Sequence, residues 1–161
     1  MTTGRTVGKY FKFQIDDGTA MRDIPVNTIG GVGITYDEVD VSALQEALKG
    51  FLAGQGNVSV TIGGPFDNSA TQSASGTGAA PALSGSHTVL SALNGSQTGY
   101  SVGIYIGIQG YWATGDPVFG GANCFLVTDY TVDAAAGTYS AKIAYKAGTT
   151  APAWGTTAIS A

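Results

Sequence analysis

Short alternating runs of apolar and polar residues dominate the chain. Val7 to Ile15 (VGKYFKFQI) sets Val7, Phe11, Phe13 and Ile15 on one side and Tyr10, Lys12 and Gln14 on the other. That period of two is the mark of a half-buried strand. Asp16-Asp17-Gly18 follows as a turn, because Asp bonds its own backbone and Gly takes positive φ at little cost. Met21 to Val26 and Thr28 to Thr35 predict two further short strands, with Gly30, Gly31 and Gly33 marking a bulge or a close backbone approach.

The period then changes. Leu44, Leu48, Phe51 and Leu52 fall at i, i+4, i+7 and i+8, the spacing of one apolar stripe on a helix. Asp40 is placed to cap its N-terminus, Val39 to staple against Leu44, and Gly50 or Gly54 to end it after Lys49. Asp37, Glu38 and Asp40 then read as acids favoured by the helix N-terminus. A calcium loop of the D-x-[DN]-x-[DN]-G type is missing there. This helix is expected to pack on a sheet.

Asn57 to Ile62 returns to strand, closed by Gly64-Pro65-Phe66-Asp67. Asn68 to Ala82 is almost wholly Ser, Thr, Ala and Gly, longer than an ordinary connector and without an anchor for a core. His87 to Leu93 is compatible with a short helix ending at Asn94-Gly95. Gly99 to Trp112 is the most β-like stretch, with Val102, Ile104, Ile106 and Ile108 on one face and Gly103, Tyr105, Gly107, Gln109 and Tyr111 on the other. Fourteen residues at about 3.3 Å each would make an unusually long strand of roughly 46 Å. Gly115-Asp116-Pro117 and Gly120-Gly121 punctuate the return. Cys124 to Val132 and Thr138 to Tyr145 predict a hairpin around Ala134 to Gly137. From Gly148 the chain is an extended tail with Trp154 as its anchor. No internal repeat is visible, and the length suits one domain over 1–161 with a loop at 68–82 and a tail at 148–161.

Charge sharpens this picture. Asn68 to Gly115 contains no Lys, Arg, Asp or Glu over 48 residues, and the whole chain is 11% charged, against about 25% in a typical protein. An exposed, uncharged, β-rich strand aggregates unless something covers it. The expectation is that other copies of the chain do so. The net charge of −4 and the scattering of Arg5, Lys9, Lys12, Arg22, Lys49, Lys142 and Lys146 argue against tight nucleic-acid binding. An acidic assembly can still let DNA slide past it. The N-terminus has no apolar leader and no stretch approaches a membrane span, so a cytoplasmic site of assembly without membrane anchoring is expected.

Candidate chemistry is sparse. His87 has no acidic neighbour in sequence and no G-x-S-x-G elbow accompanies it, so packing or capping is the better reading. One His and one Cys cannot cage a transition metal, and no cofactor motif is present. Cys124 reads as a buried small hydrophobe. No enzyme signature survives. A lectin-like platform of Tyr105, Tyr111 and Trp112 has only Gln109 to bond sugar hydroxyls.

In order, ITYDEVDVSALQEALKGFL (34–52), VTIGGPFDNSA (60–70), SGSHTVLSALNG (84–95), GDPVFGG (115–121), NCFLVTDYTVD (123–133), GTYSAKIAY (137–145) and APAWGT (151–156) resemble the tail tube (major tail) proteins of long-tailed bacteriophages and related contractile injection particles. The resemblance implies a mainly β fold, a β-sandwich or partial barrel of antiparallel strands with one flanking α-helix. It implies a structural virion subunit that forms stacked, usually hexameric rings around a channel for DNA, in contact with identical subunits and other tail proteins. Strand 99–112 would be completed by neighbours, with Tyr100, Val102, Ile104, Tyr105, Ile106, Ile108, Tyr111, Trp112 and Trp154 as interface residues. Loop 68–82 and both termini would order on stacking. A decoration or neck protein of the virion, or a carbohydrate-binding β module, is the alternative.

Overall fold

The structure, a computed structural model, describes residues 8–45, 47–71, 82–108 and 112–160. It is mainly β, with antiparallel pairing nearly throughout and one α-helix, as expected. The strands are β1 (Phe11–Asp16), β2 (Met21–Ile24), β3 (Thr28–Gly30), β4 (Thr35–Asp40), β5 (Phe51–Asn57), β6 (Ser59–Pro65) and β7 (Ala82–Leu83). Helix α1 (Ser86–Leu93) follows, then β8 (Tyr100–Ile106), β9 (Val118–Asp133), β10 (Thr138–Tyr145) and β11 (Ala153–Gly155).

One sheet runs β3-β6-β10-β9-β8-β1-β2-β7, with β11 added to β9; β4 and β5 pair only with each other in a second sheet. The large sheet must curl. Strands β2 and β3 lie six steps apart along it, about 29 Å if flat. The chain joins them through Pro25, Val26 and Asn27, a link reaching at most about 14 Å. Tyr139 on β10 fastens the curl by donating its hydroxyl hydrogen to the carbonyl of Pro25 (2.9 Å). Phe13, Ile15, Val60, Ile62, Val102, Ile104, Phe119, Phe125 and Ile143 fill the interior from both halves of the sheet. Val89, Leu90 and Leu93 of α1 join them.

Strand β9 makes the curl possible. Its first part pairs with β8 and β11, and its second with β10. Two residues are bulged out of the β8 register between Tyr100 and Val102, where Asn123 adopts φ 55° and its N–H donates to Ser101 Oγ (3.0 Å). A second register shift falls beside Lys142. Bulges bend a strand and raise its twist. The longest strand is thus β9, not 99–112. Gly120 and Gly121 lie inside it: a Cβ on Gly120 would meet the Val102 backbone of β8, and one on Gly121 would meet Cys124 Sγ and Pro152.

The Asp16-Asp17-Gly18 turn forms as read, with Gly18 N–H donating to Asp16 Oδ1 (2.8 Å) and Gly18 at φ 94°. The 124–145 hairpin also forms, its turn held by Asp133 Oδ1 accepting from Ala135 and Ala136. Thr28 to Thr35 is a strand only to Gly30. Gly31 then turns at φ 72° against the Ser59 carbonyl, the close approach expected of that glycine run.

Asp17 links this turn to β2. Its carboxylate accepts from Arg22 Nε at 2.7 Å and from the N–H groups of Thr19 and Ala20. Burial acts to raise its pKa, but the Arg22 bond and the two backbone bonds outweigh it and the pKa is lowered. A folded pKa below the unfolded one gives stability that is complete above the ordinary carboxylate value of about 3.9. That contribution disappears as pH falls through the folded value. Asp17→Asn is therefore expected to shrink the fall in urea midpoint between pH 7 and pH 3.

The expected helix after Asp40 is not formed. Asp40 does accept from Ser42 N–H (2.9 Å), but the chain turns there instead of coiling. Ser42 Oγ accepts from Gly50 N–H (2.6 Å) and Val41 N–H donates to the Gly50 carbonyl (3.0 Å), clamping the two strands of a hairpin. Val39 lies opposite Leu52 and Asp40 opposite Phe51. Cross-strand pairing of Val39 and its neighbours overrides the helical stripe, which has no sheet to lie on. The flanking helix is α1, close to the run 87–93. Among the described residues no helix is long and apolar enough to cross a membrane.

Candidate assembly surface

The predicted interface residues are mostly covered by the chain itself. Strand β8 is not an edge: β1 pairs with one side and β9 with the other. Val102 and Ile104 point into the core, and Tyr100 is buried beside them, its hydroxyl donating to Ser96 Oγ (2.9 Å). Tyr105, on the opposite face as read, is only 3% exposed. Its ring lies over Gly103 and meets Trp112 edge-on at 4.9 Å, and its hydroxyl accepts from Ile159 N–H at 2.9 Å. Trp112 is itself half-buried, its indole N–H shared between the carbonyls of Asp116 and Pro117.

The tail and the 112–117 connection thus roof this face of β8, so Tyr100, Val102, Ile104 and Tyr105 have no surface to offer a second copy. Nor can Tyr105 serve as a sugar platform. Ile106 and Ile108 are half-buried. Trp154 rests on Phe119 at 5.1 Å and remains 53% exposed. Tyr111, Gln109, residues 72–81 of the predicted loop and residues 1–7 lie outside the described residues.

The exposed apolar surface is elsewhere. Strands β4 and β5 form an arm on which Tyr36, Val39, Val41, Leu44, Leu48, Phe51 and Leu52 all face solvent. At its tip Leu44 is 104% exposed and Leu48 84%. A two-stranded hairpin with no layer on either face is at best marginally stable in water. Contiguous apolar surface on a soluble chain marks an interaction site. Asp37, Glu38 and Asp40 stand exposed along β4, where the absent helix leaves them as a solvated acidic rail. The hydrogen bonds from Ser42 lower the Asp40 pKa. The signal available in the sequence is Val39 and Val41 alternating with Glu38 and Asp40, together with Gly50, Gly54 and Gly56. These suit a bulged hairpin better than a helix.

His87 is a packing residue with one polar tie. Its Nδ1 lies 3.0 Å from Tyr130 Oη and its ring packs between Phe66 (5.0 Å) and Tyr130 (5.7 Å). Cys124 is buried, and burial raises its thiol pKa, so the reactive thiolate is disfavoured. Among the described residues no group of three or more His, Cys, Asp or Glu side chains is placed to hold a metal ion.

No family model matches the sequence, and no curated protein matches it. Solved structures do share the fold. One is the sheath/tube terminator structure of PVC, an extracellular contractile injection system, in its extended state. It matches with a TM-score of 0.56 and 11% identity over 96% of this chain and 99% of that one. A second is the tube-terminating cap of the anti-feeding prophage, at TM-score 0.55 and 12% identity over 98% and 95%. A third is the extended PVC sheath–tube complex, at 0.51 and 11% over 92% and 90%. At such identities the likeness is one of fold.

Proposed function

We propose that the chain is a non-enzymatic structural subunit of a phage tail or related injection particle, and that identical copies associate into stacked rings around a channel for DNA. The observation that carries this reading is the arm, whose unpartnered apolar residues require a cover. The fold shared with chains of contractile injection particles supports it, as does the run of motifs resembling tail tube proteins. The likeness runs over nearly the whole of both chains in each match.

A second reading is favoured by the terminator and cap structures among its structural neighbours: a subunit that ends a tube instead of extending it. Electron microscopy of the concentrated protein separates the two. Tube subunits are expected to give cylinders of varying length; a terminator gives single rings that never lengthen. A protein that remains a monomer at every concentration contradicts both.

A further inference from the structure

We infer that the cleft at the root of the arm is the seat for the arm tip of a second copy. The inference rests on the self-assembly proposed above and names the surface that receives the arm. The cleft holds about 350 Å³ and is lined chiefly by Ile34, Tyr36, Val58, Ala144, Tyr145 and Pro152. Its floor is apolar, and its volume lies in the range of built binding sites. The tip of the same arm cannot fill it. Strand β4 carries the chain six residues away from the root, on the order of 20 Å at strand rise.

Charge agrees with this occupant. On β10, Lys142 stands two residues before Ala144 and shares its face by strand alternation, and Lys146 follows directly after the strand's last residue, Tyr145. Asp129 is opposite Lys142 in register, yet the two ion pairs among the described residues are Lys12–Asp23 and Arg22–Asp17. Among the described residues, Lys142 and Lys146 thus have no acidic partner, and Asp37, Glu38 and Asp40 on the arm have no basic one. An apolar tip beside exposed carboxylates would meet a largely apolar cleft with Lys142 two residues along β10 from its lining residue Ala144. Arm and cleft are different surfaces, so the contact is head-to-tail and each copy can both give and receive.

Three variants test this by sedimentation: Leu44→Ser/Leu48→Ser at the tip, Ala144→Trp filling the cleft, and Lys142→Glu/Lys146→Glu reversing its rim. The rim variant touches no core residue, and an unchanged circular dichroism spectrum and urea midpoint are the check that its fold is intact. The expected result is that it raises the concentration needed for assembly at least tenfold. Adding Asp37→Lys/Asp40→Lys to the same chain should recover most of the loss. Tip and cleft variants, each failing alone, should cosediment in equal amounts when mixed, since one good arm then meets one good cleft. If the wild-type protein assembles and both cleft variants assemble equally well, the cleft is not the seat and self-assembly stands. If the wild-type protein does not assemble, the self-assembly reading fails and this inference fails with it.

Discussion

Gly120→Ala is expected to cost the subunit on the order of 3 kcal/mol, a large part of the 5–15 kcal/mol that holds an ordinary domain together. Gly120 lies in β9 opposite Gly103 of β8. A Cβ there would stand 2.0 Å from the Val102 carbonyl oxygen and 3.0 Å from its carbon. Both are backbone atoms at the centre of the sheet, so no side-chain rotation relieves the contact and the β8–β9 ladder itself must move. Gly155 in β11 is the control: nothing lies within 4 Å of its Cβ position, and alanine there is expected to change stability by no more than about 0.5 kcal/mol. Urea unfolding followed by circular dichroism measures both. Equal midpoints for the two variants would mean that β8 and β9 are not packed as described.

Replacing Leu44 and Leu48 by serine is expected to abolish assembly while leaving the fold of the subunit unchanged. Both side chains lie in water in the single chain, so their loss removes nothing from its core. If a second copy covers them, each contributes about 2 kcal/mol of buried apolar surface. Losing about 4 kcal/mol raises the concentration at which copies associate by several hundredfold, at 1.4 kcal/mol for each factor of ten. The thermal midpoint of the dilute subunit should stay within a degree or two of the parent, while sedimentation loses the large species. A variant that unfolds would show instead that the arm belongs to the core.

Much of the fold was legible because local chemistry and tertiary context agreed. The Asp16-Asp17-Gly18 turn, the hairpin closed at Asp133–Gly137 and the inward placing of Val102 and Ile104 follow from residue types that satisfy their own backbone or alternate cleanly. The region 40–52 departs from its helical spacing for a physical reason. A helical stripe is stable only against a surface that receives it, and no element of the sheet lies beneath Leu44 and Leu48. Val39, opposite Leu52, and Ser42, bonded to Gly50, gave the chain a strand pairing instead.

The candidate surface moved for a related reason. Absence of charge reports that a segment is covered, not what covers it. In β8 the cover is the chain's own tail, through Ile159 on Tyr105, joined by Trp112. Its contribution spans 54 residues of sequence, beyond the reach of any local pattern. The uncovered apolar surface lies instead among carboxylates, on β4, where the charge that keeps a lone arm in solution also hides it from a search for uncharged segments. Ala144 and Tyr145 are separated from that arm by some ninety residues, and only the fold brings them to line the cleft with Tyr36 and Gly56.

Hydrogen exchange along 35–57, compared between dilute and concentrated protein, asks most directly whether copies of this chain shelter the arm. The account predicts rapid exchange of these amides in the dilute subunit and strong protection once the protein is concentrated, with the amides of β8 protected in both. Arm amides that exchange equally fast at every concentration would contradict it.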